Sequence, residues 1–140
     1  MNLLLDTHIL IWALTEDERL PEKARQFILD PDNAIYYSTA SIWEISIKHT
    51  AHPDEIGFSG KELSAYCQEA GFLQLEIRDK HVYALETLVR PKDAPPHRDP
   101  FDRILLAQAK AENMSFLTHD ALIPDYNEKC VIPGYATGHQ

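Results

Sequence analysis

Apolar positions in this chain fall into short blocks separated by polar turns, and the blocks alternate between the strand and helix periods. Asn2–Leu5 (NLLL) predicts a buried strand, with Asp6 at its carboxyl end. Thr7–Leu14 (THILIWAL) predicts a buried helix turning away from it. Leu20-Pro21-Glu22 opens a second helix, because Pro21 suits a first turn and Ala24, Phe27 and Ile28 recur at helical spacing. Asp30-Pro31-Asp32-Asn33 ends it as a turn. Residues 34–37 (AIYY) predict a strand, and Ser38-Thr39-Ala40-Ser41 leads into a helix carrying Ile42, Trp43, Ile45 and Ile47. A looser segment, 52–60, precedes a helix over 61–70, an alternating strand over 72–77 and a helix over 79–89. Residues 90–98 (RPKDAPPHR) form a proline-rich, mostly basic loop. A helix over 100–113 and a strand over 115–117 follow, with Thr118-His119-Asp120 at the strand's carboxyl end and a last strand near Val131-Ile132. Trp12 and Trp43, set among aliphatics, are expected in the core.

Strands alternating with helices predict an α/β fold, a single-domain three-layer α/β/α arrangement with a mostly parallel central sheet over residues 1–140. Ligand sites in such folds lie outside the carboxyl ends of the strands, where Asp6 and Asp120 stand.

Composition narrows the function classes. Hydrophobic residues make up 44% and charged ones 25%, ordinary globular usage. No apolar run approaches the ~20 residues that span a bilayer. The amino terminus lacks the basic region and cleavage site of a signal peptide. Cys67 and Cys130 form no CxxC pair, so both are expected as thiols in a reducing cytoplasm. The net charge of −9 argues against a protein that coats nucleic acid, and leaves room for a concentrated acidic site or a basic partner.

The acids carry the chemistry. HRDPFDRILLAQA, residues 97–109, places Asp99 as a helix cap before Pro100, and Asp102 one turn further in, beside buried-looking residues. In a parallel sheet Asp6, Glu44, Asp102 and Asp120 can face one rim. Crowded carboxylates repel and raise at least one pKa, and Mg²⁺ or Mn²⁺ resolves the repulsion. Neutralising one of them, as in Asp6→Asn, is then expected to leave the metal-free fold as stable or to stabilise it. Taken singly, Asp6 could simply end a strand, Glu44 could close a Ser41-x-x-Glu44 capping box, and Asp120 could cap Ala121-Leu122. No H-E-x-x-H motif or Cys/His cluster points to zinc, no GxGxxG or P-loop to a nucleotide, and no G-x-S-x-G elbow to a serine hydrolase.

LLLDTHILIWAL at 3–14, STASIWEISIK at 38–48, HRDPFDRILLAQA at 97–109 and FLTHD at 116–120 resemble the motifs of PIN-domain ribonucleases, in particular the VapC-type toxins of bacterial toxin–antitoxin modules. The resemblance spans nearly the whole chain. It implies that Asp6, Glu44, Asp102 and Asp120 are the catalytic acids that hold Mg²⁺ or Mn²⁺. Thr118 matches the hydroxyl of the last motif, Thr7 or Ser38 could bond a carboxylate or a metal-bound water, and Asp99 is an additional acid. The implied reaction is metal-dependent cleavage of RNA, with Arg98 and Arg103, which bracket Asp99 and Asp102, as candidates for holding phosphates. The implied partners are a small antitoxin protein and a second copy of the chain, for which apolar residues of the early helices such as Trp12 or Leu20 are candidates. Two other readings compete: another metal-dependent phosphoryl hydrolase, although the D-x-D-x-T pattern is missing, and a catalytically silent binding module, although all four acids are intact.

Overall fold

The structure, a computed structural model, describes residues 1–134, so the end of the expected 1–140 domain lies outside them. Its elements run β1 (Asn2–Leu5), α1 (Thr7–Leu14), α2 (Glu22–Leu29), β2 (Ala34–Ser38), α3 (Thr39–Ala51), α4 (Gly60–Glu69), β3 (Leu73–Leu75), α5 (Asp79–Leu85), α6 (Pro100–Glu112), β4 (Ser115–Thr118), a 3₁₀ turn (Ile123–Tyr126) and β5 (Val131–Pro133). The five strands are all parallel, in the order β3-β2-β1-β4-β5. Strand β1 is therefore central, and the chain steps outward from it first on one side and later on the other. That reversal puts the topological switch between β1 and β4, where a crevice opens at the carboxyl ends of a parallel sheet.

Side-chain alternation along the central strands makes the layers. Leu3 and Leu5 of β1 and Leu117 of β4 pack with Ile9 and Leu10 of α1, Ala24 of α2, and Leu63 and Cys67 of α4. Leu4 and Phe116 point the other way, onto Leu105, Leu106 and Ala109 of α6. Helix α3 serves both cores, Ile45 in the first and Ala40 in the second. The result is the expected three-layer α/β/α arrangement.

Four local departures from the sequence reading have physical causes. Strand β3 holds three residues rather than six, since it is an edge strand paired only with β2, from Tyr36↔Leu73 to Ser38↔Leu75, and Leu73 is exposed. Helix α5 ends at Leu85, where the Thr87 hydroxyl donates to the Ala84 carbonyl and turns the chain. Strand β2 runs on to Ser38, whose hydroxyl accepts from Ala40 N at 2.9 Å and caps α3, so Ser41 lies inside the helix and no Ser41–Glu44 capping box forms. Trp43 is not in the core. It is 56% exposed, because the inward face of α3 is set by Ala40, Ser41, Glu44 and Ile45, and its ring meets Phe101 edge-on at 5.0 Å. Trp12, by contrast, is buried, with its ring against His119 at 4.8 Å and the Arg19 guanidinium at 5.5 Å.

Both cysteines are free thiols, and burial pushes Cys67 up to about 12, which keeps it protonated and unreactive. No helix among the described residues is long and apolar enough to cross a membrane.

Candidate active site

Asp6 follows β1 at the carboxyl end of the central strand, at the topological switch. Its backbone N–H donates to the Leu117 carbonyl at 3.0 Å, which continues the β1–β4 pairing by one residue. Its side chain caps α1: Oδ1 accepts from Ile9 N at 2.7 Å. The other oxygen, Oδ2, accepts from the Thr118 hydroxyl at 2.8 Å and from His119 N at 2.6 Å. Burial raises the Asp6 carboxyl above its ordinary value, against the pull of the Ile9, His119 and Thr118 hydrogen bonds. Burial alone would favour Asp6→Asn, as the sequence suggested, but the two backbone donors on the Asp6 carboxylate oppose it. An amide offers one acceptor oxygen, so its NH₂ group would face one of two fixed backbone N–H donors.

Thr118 joins two of the acids. While its hydroxyl donates to Asp6, the same oxygen accepts from Asp120 N at 3.0 Å. Asp120 then bonds forward, Oδ1 accepting from Leu122 N at 2.9 Å. Asp120 thus caps the next turn, as a bland reading allowed, and also turns its carboxylate toward Asp102.

Asp102 rides on the first turn of α6. Asp99 is the cap of that helix, Oδ1 accepting from Phe101 N at 2.9 Å and Asp102 N at 3.2 Å, with Pro100 next in the first turn. The Asp102 carboxyl is pushed up to about 9, chiefly by burial, then by a hydrogen bond to Asp120 and by the charges of Asp99, Asp6 and Asp120. Burial would also raise Asp120. Bonds from Leu122 N, from Asp102 and from His97 outweigh it and hold Asp120 below the usual carboxylate range. The two carboxyls are thus shifted in opposite directions, Asp102 up and Asp120 down, as expected of two acids too close for both to ionise freely.

Glu44 approaches from α3 and is buried at 3% exposure. Its Oε2 takes Lys48 Nζ at 2.6 Å, one helical turn on, while Oε1 is buried without a hydrogen-bond partner among the described residues. Two contacts fix this part of α3 beside the crevice. Ser41 and Thr7 share a 2.8 Å hydroxyl–hydroxyl bond next to Asp6, and Trp43 touches Phe101 next to Asp102.

The remaining candidates fall into place differently. Ser38 donates to the Gln108 side chain and caps α3, and Thr7 bonds Ser41, so neither hydroxyl bonds a carboxylate among the described residues. Arg98 is exposed and Arg103 half-buried, and neither pairs with an acid among the described residues. One member went unrecognised in the sequence. His97, taken there for part of a basic loop, is buried, with Nε2 3.0 Å from Asp120 Oδ2 and 3.8 Å from Asp102 Oδ2. Its signal was its place in the loop that feeds the capped start of α6.

The donor set fits a hard divalent cation. Ligand atoms of His97, Asp102 and Asp120 all lie within 4.8 Å of one another, and Asp6 is close enough for its charge to act on Asp102. Glu44 is not in that group, though its buried Oε1 is an acceptor without a donor among the described residues. Carboxylate oxygens in excess of protons are what Mg²⁺ and Mn²⁺ bind.

Comparison with known proteins agrees with this geometry. Among solved structures, VapBC2 from Rickettsia felis bound to a DNA fragment from its promoter is similar at TM-score 0.65 and 15% identity, over 94% of this chain and 96% of that one. FitAcB from Neisseria gonorrhoeae is similar at TM-score 0.60 and 15% identity, over 94% and 97%. A toxin–antitoxin complex from Klebsiella pneumoniae is similar at TM-score 0.57 and 20% identity, over 96% and 98%. At such identities the likeness is one of fold. A comparison with curated proteins gives no match. The PIN domain family model matches residues 3–129, which include every acid of the crevice. With the parallel sheet, the switch-point acids and that match in agreement, this chain belongs to the PIN domain family.

Proposed function

We propose that the protein is a Mg²⁺- or Mn²⁺-dependent endoribonuclease and the toxin of a toxin–antitoxin pair. The observation that carries the reading is the cluster of Asp102, Asp120 and His97, whose ligand atoms lie within 4.8 Å of one another at the switch of a parallel sheet. Asp6, Glu44, Asp102 and Asp120 would hold the cation. When bound, the ion supplies a nucleophilic hydroxide and neutralises charge on the phosphoryl centre.

The chain's own residues do the rest. Asp102, whose carboxyl is pushed up to about 9 by burial and its acidic neighbours, would hold a cation only in its ionised form, so affinity would rise with pH. Asp6 is held on both oxygens, by Ile9 N on one side and by Thr118 and His119 N on the other, and presents a fixed carboxylate edge. Lys48 occupies Glu44 Oε2, so Oε1, without a hydrogen-bond partner among the described residues, is the oxygen that would serve a cation. Arg98 and Arg103, without acid partners among the described residues, would supply local positive charge for RNA phosphates on a chain of net charge −9.

The toxin assignment draws on the fold likeness to a protein solved in a toxin–antitoxin complex from Klebsiella pneumoniae. Trp12 is buried and offers no docking surface, which corrects one of the two candidates. Leu20 survives: with the exposed Leu29 it lines a groove between α1 and α2 whose charged lining is Glu16, Asp17, Glu18 and Glu22 against one cation, Arg25. That pairing of apolar floor and acidic rim suits a basic amphipathic segment of an antitoxin. The protein is read as acting in the cytoplasm and as a homodimer.

The test is incubation of purified protein with single-stranded RNA and Mg²⁺ or Mn²⁺, with a phosphomonoester in parallel. Internal cleavage of RNA that chelation abolishes supports the reading. Hydrolysis of the monoester alone favours a phosphatase, and metal binding without either reaction favours a silent module. Copurification of a co-expressed neighbouring open reading frame product, with relief of growth arrest, tests the toxin assignment separately.

A further inference from the structure

Asp120 stands on an irregular stretch between β4 and the 3₁₀ turn, so no regular element fixes its side chain. Two donors do. Leu122 N holds Oδ1 at 2.9 Å, and His97 Nε2 holds Oδ2 at 3.0 Å. The second donor comes from the proline-rich loop, yet its side chain is only 3% exposed. His97 Nδ1 lies 2.8 Å from the Tyr126 hydroxyl. A carboxylate oxygen facing Nε2 requires the hydrogen on that nitrogen, which leaves Nδ1 of the neutral ring to accept from Tyr126.

Tyr126 is held in turn. The Arg90 guanidinium carbon lies 4.9 Å from the Tyr126 ring centroid. Arg90 also donates to the Leu122 carbonyl at 2.5 Å, to the Pro95 carbonyl, and to Asp125 at 3.3 Å. One arginine thus ties the loop that carries His97 to the segment that carries both Asp120 and Tyr126. The fold uses the same device elsewhere for structure alone: His81 Nδ1 accepts from Arg78 N, and Nε2 donates to Glu112 at 2.6 Å.

We propose that His97 is a positioning residue of the metal site, fixing the rotamer of Asp120 through Nε2 while Tyr126 fixes the histidine tautomer. The proposal rests on the metal-site reading of Asp102 and Asp120. Its rival is direct ligation of the cation by the imidazole. The two differ in ion preference, because a lost nitrogen ligand harms Mn²⁺ binding more than Mg²⁺ binding, whereas a misaimed carboxylate harms both alike.

Calorimetric titration of metal-stripped protein with MnCl₂ and with MgCl₂ tests it. His97→Ala is expected to weaken both ions by a common factor of about 10–100, the usual cost of losing such a partner. His97→Gln, whose amide N–H can take the place of Nε2–H, is expected to return affinity to within about fivefold of wild type. Tyr126→Phe, which removes only the hydroxyl, is expected to lose several-fold, and it carries the test should His97→Ala not fold. Wild-type affinity in His97→Ala, or in Tyr126→Phe, overturns the proposal. So does a loss confined to Mn²⁺ that Gln does not restore, since His97 would then be a ligand. A wild type that binds neither ion overturns the metal-site reading itself and this proposal with it.

Discussion

Replacing Asp102 by Asn should stabilise the metal-free protein while disabling its site. The carboxyl has an ordinary value of 3.8 and is raised to about 9 in the fold, with its side chain 17% exposed. Near pH 7 the folded protein must therefore either carry a proton that the unfolded chain has released or bear a badly placed charge. About three decades of proton activity separate 3.8 from neutrality, so the cost reaches up to about 4 kcal/mol. Relaxation of the crevice and residual solvent access reduce this to on the order of 2 kcal/mol. An Asn side chain removes the cost and keeps an N–H for Asp120. At roughly 3–5 °C per kcal/mol for a domain of this size, the gain in Tm should be about 5–10 °C. The sign with pH follows from linkage. A raised folded-state pKa means that the wild type gains stability as pH falls from about 9 toward 4, and Asp102→Asn lacks that contribution. Thermal melts in chelator should show the two proteins converging near pH 4 and diverging toward pH 8. A variant that melts below wild type near pH 8, or a difference independent of pH, would refute the account of a raised Asp102 carboxyl.

Asp6→Asn should behave in the opposite way: with one backbone N–H facing an amide NH₂, it should lose on the order of 1–3 kcal/mol in the same chelator melts. Excess Mg²⁺ or Mn²⁺ should raise wild-type stability by about 2.7 kcal/mol at a hundredfold excess over Kd, and a fixed ion concentration should stabilise more near pH 8 than near pH 6, because Asp102 must be ionised to bind; thermal shift against ion concentration checks both. The two tryptophans should separate cleanly in chemical denaturation, with Trp12→Ala costing about 3–5 kcal/mol and the exposed Trp43→Ala about 1 kcal/mol or less.

Much of the architecture was legible because its signals are local. Buried parallel strands read as short apolar runs, and Asp99-Pro100 announces a helix start through two independent preferences, so β1, α1 and α6 could be placed almost to the residue. What failed was whatever depends on neighbours distant in sequence. The mixed apolar face of α3 does not say which side meets the sheet, and Trp43 was assigned inward for that reason. The length of β3 is set by its edge position, which its own alternation does not reveal. The acids were visible as a set, but Asp6's bonds to Thr118 and His119 span more than a hundred residues and turn a strand-end acid into a structural acceptor as well. His97 was hidden by its setting, since a histidine among prolines and cations reads as solvated surface until Tyr126 and Asp120 close on it.

The central claim is that the Asp102–Asp120 cluster is a cation-loaded centre that cuts RNA, and single-turnover cleavage measures it most directly. Wild type and Asp102→Asn, both shown to be folded by their melts, would be mixed in excess with end-labelled single-stranded RNA and saturating Mn²⁺. The account predicts internal cleavage by wild type that chelator abolishes, and a rate for Asp102→Asn lower by about a hundredfold or more despite its higher stability. Cleavage by Asp102→Asn at the wild-type rate would contradict it, because the activity would then lie elsewhere than in this cluster.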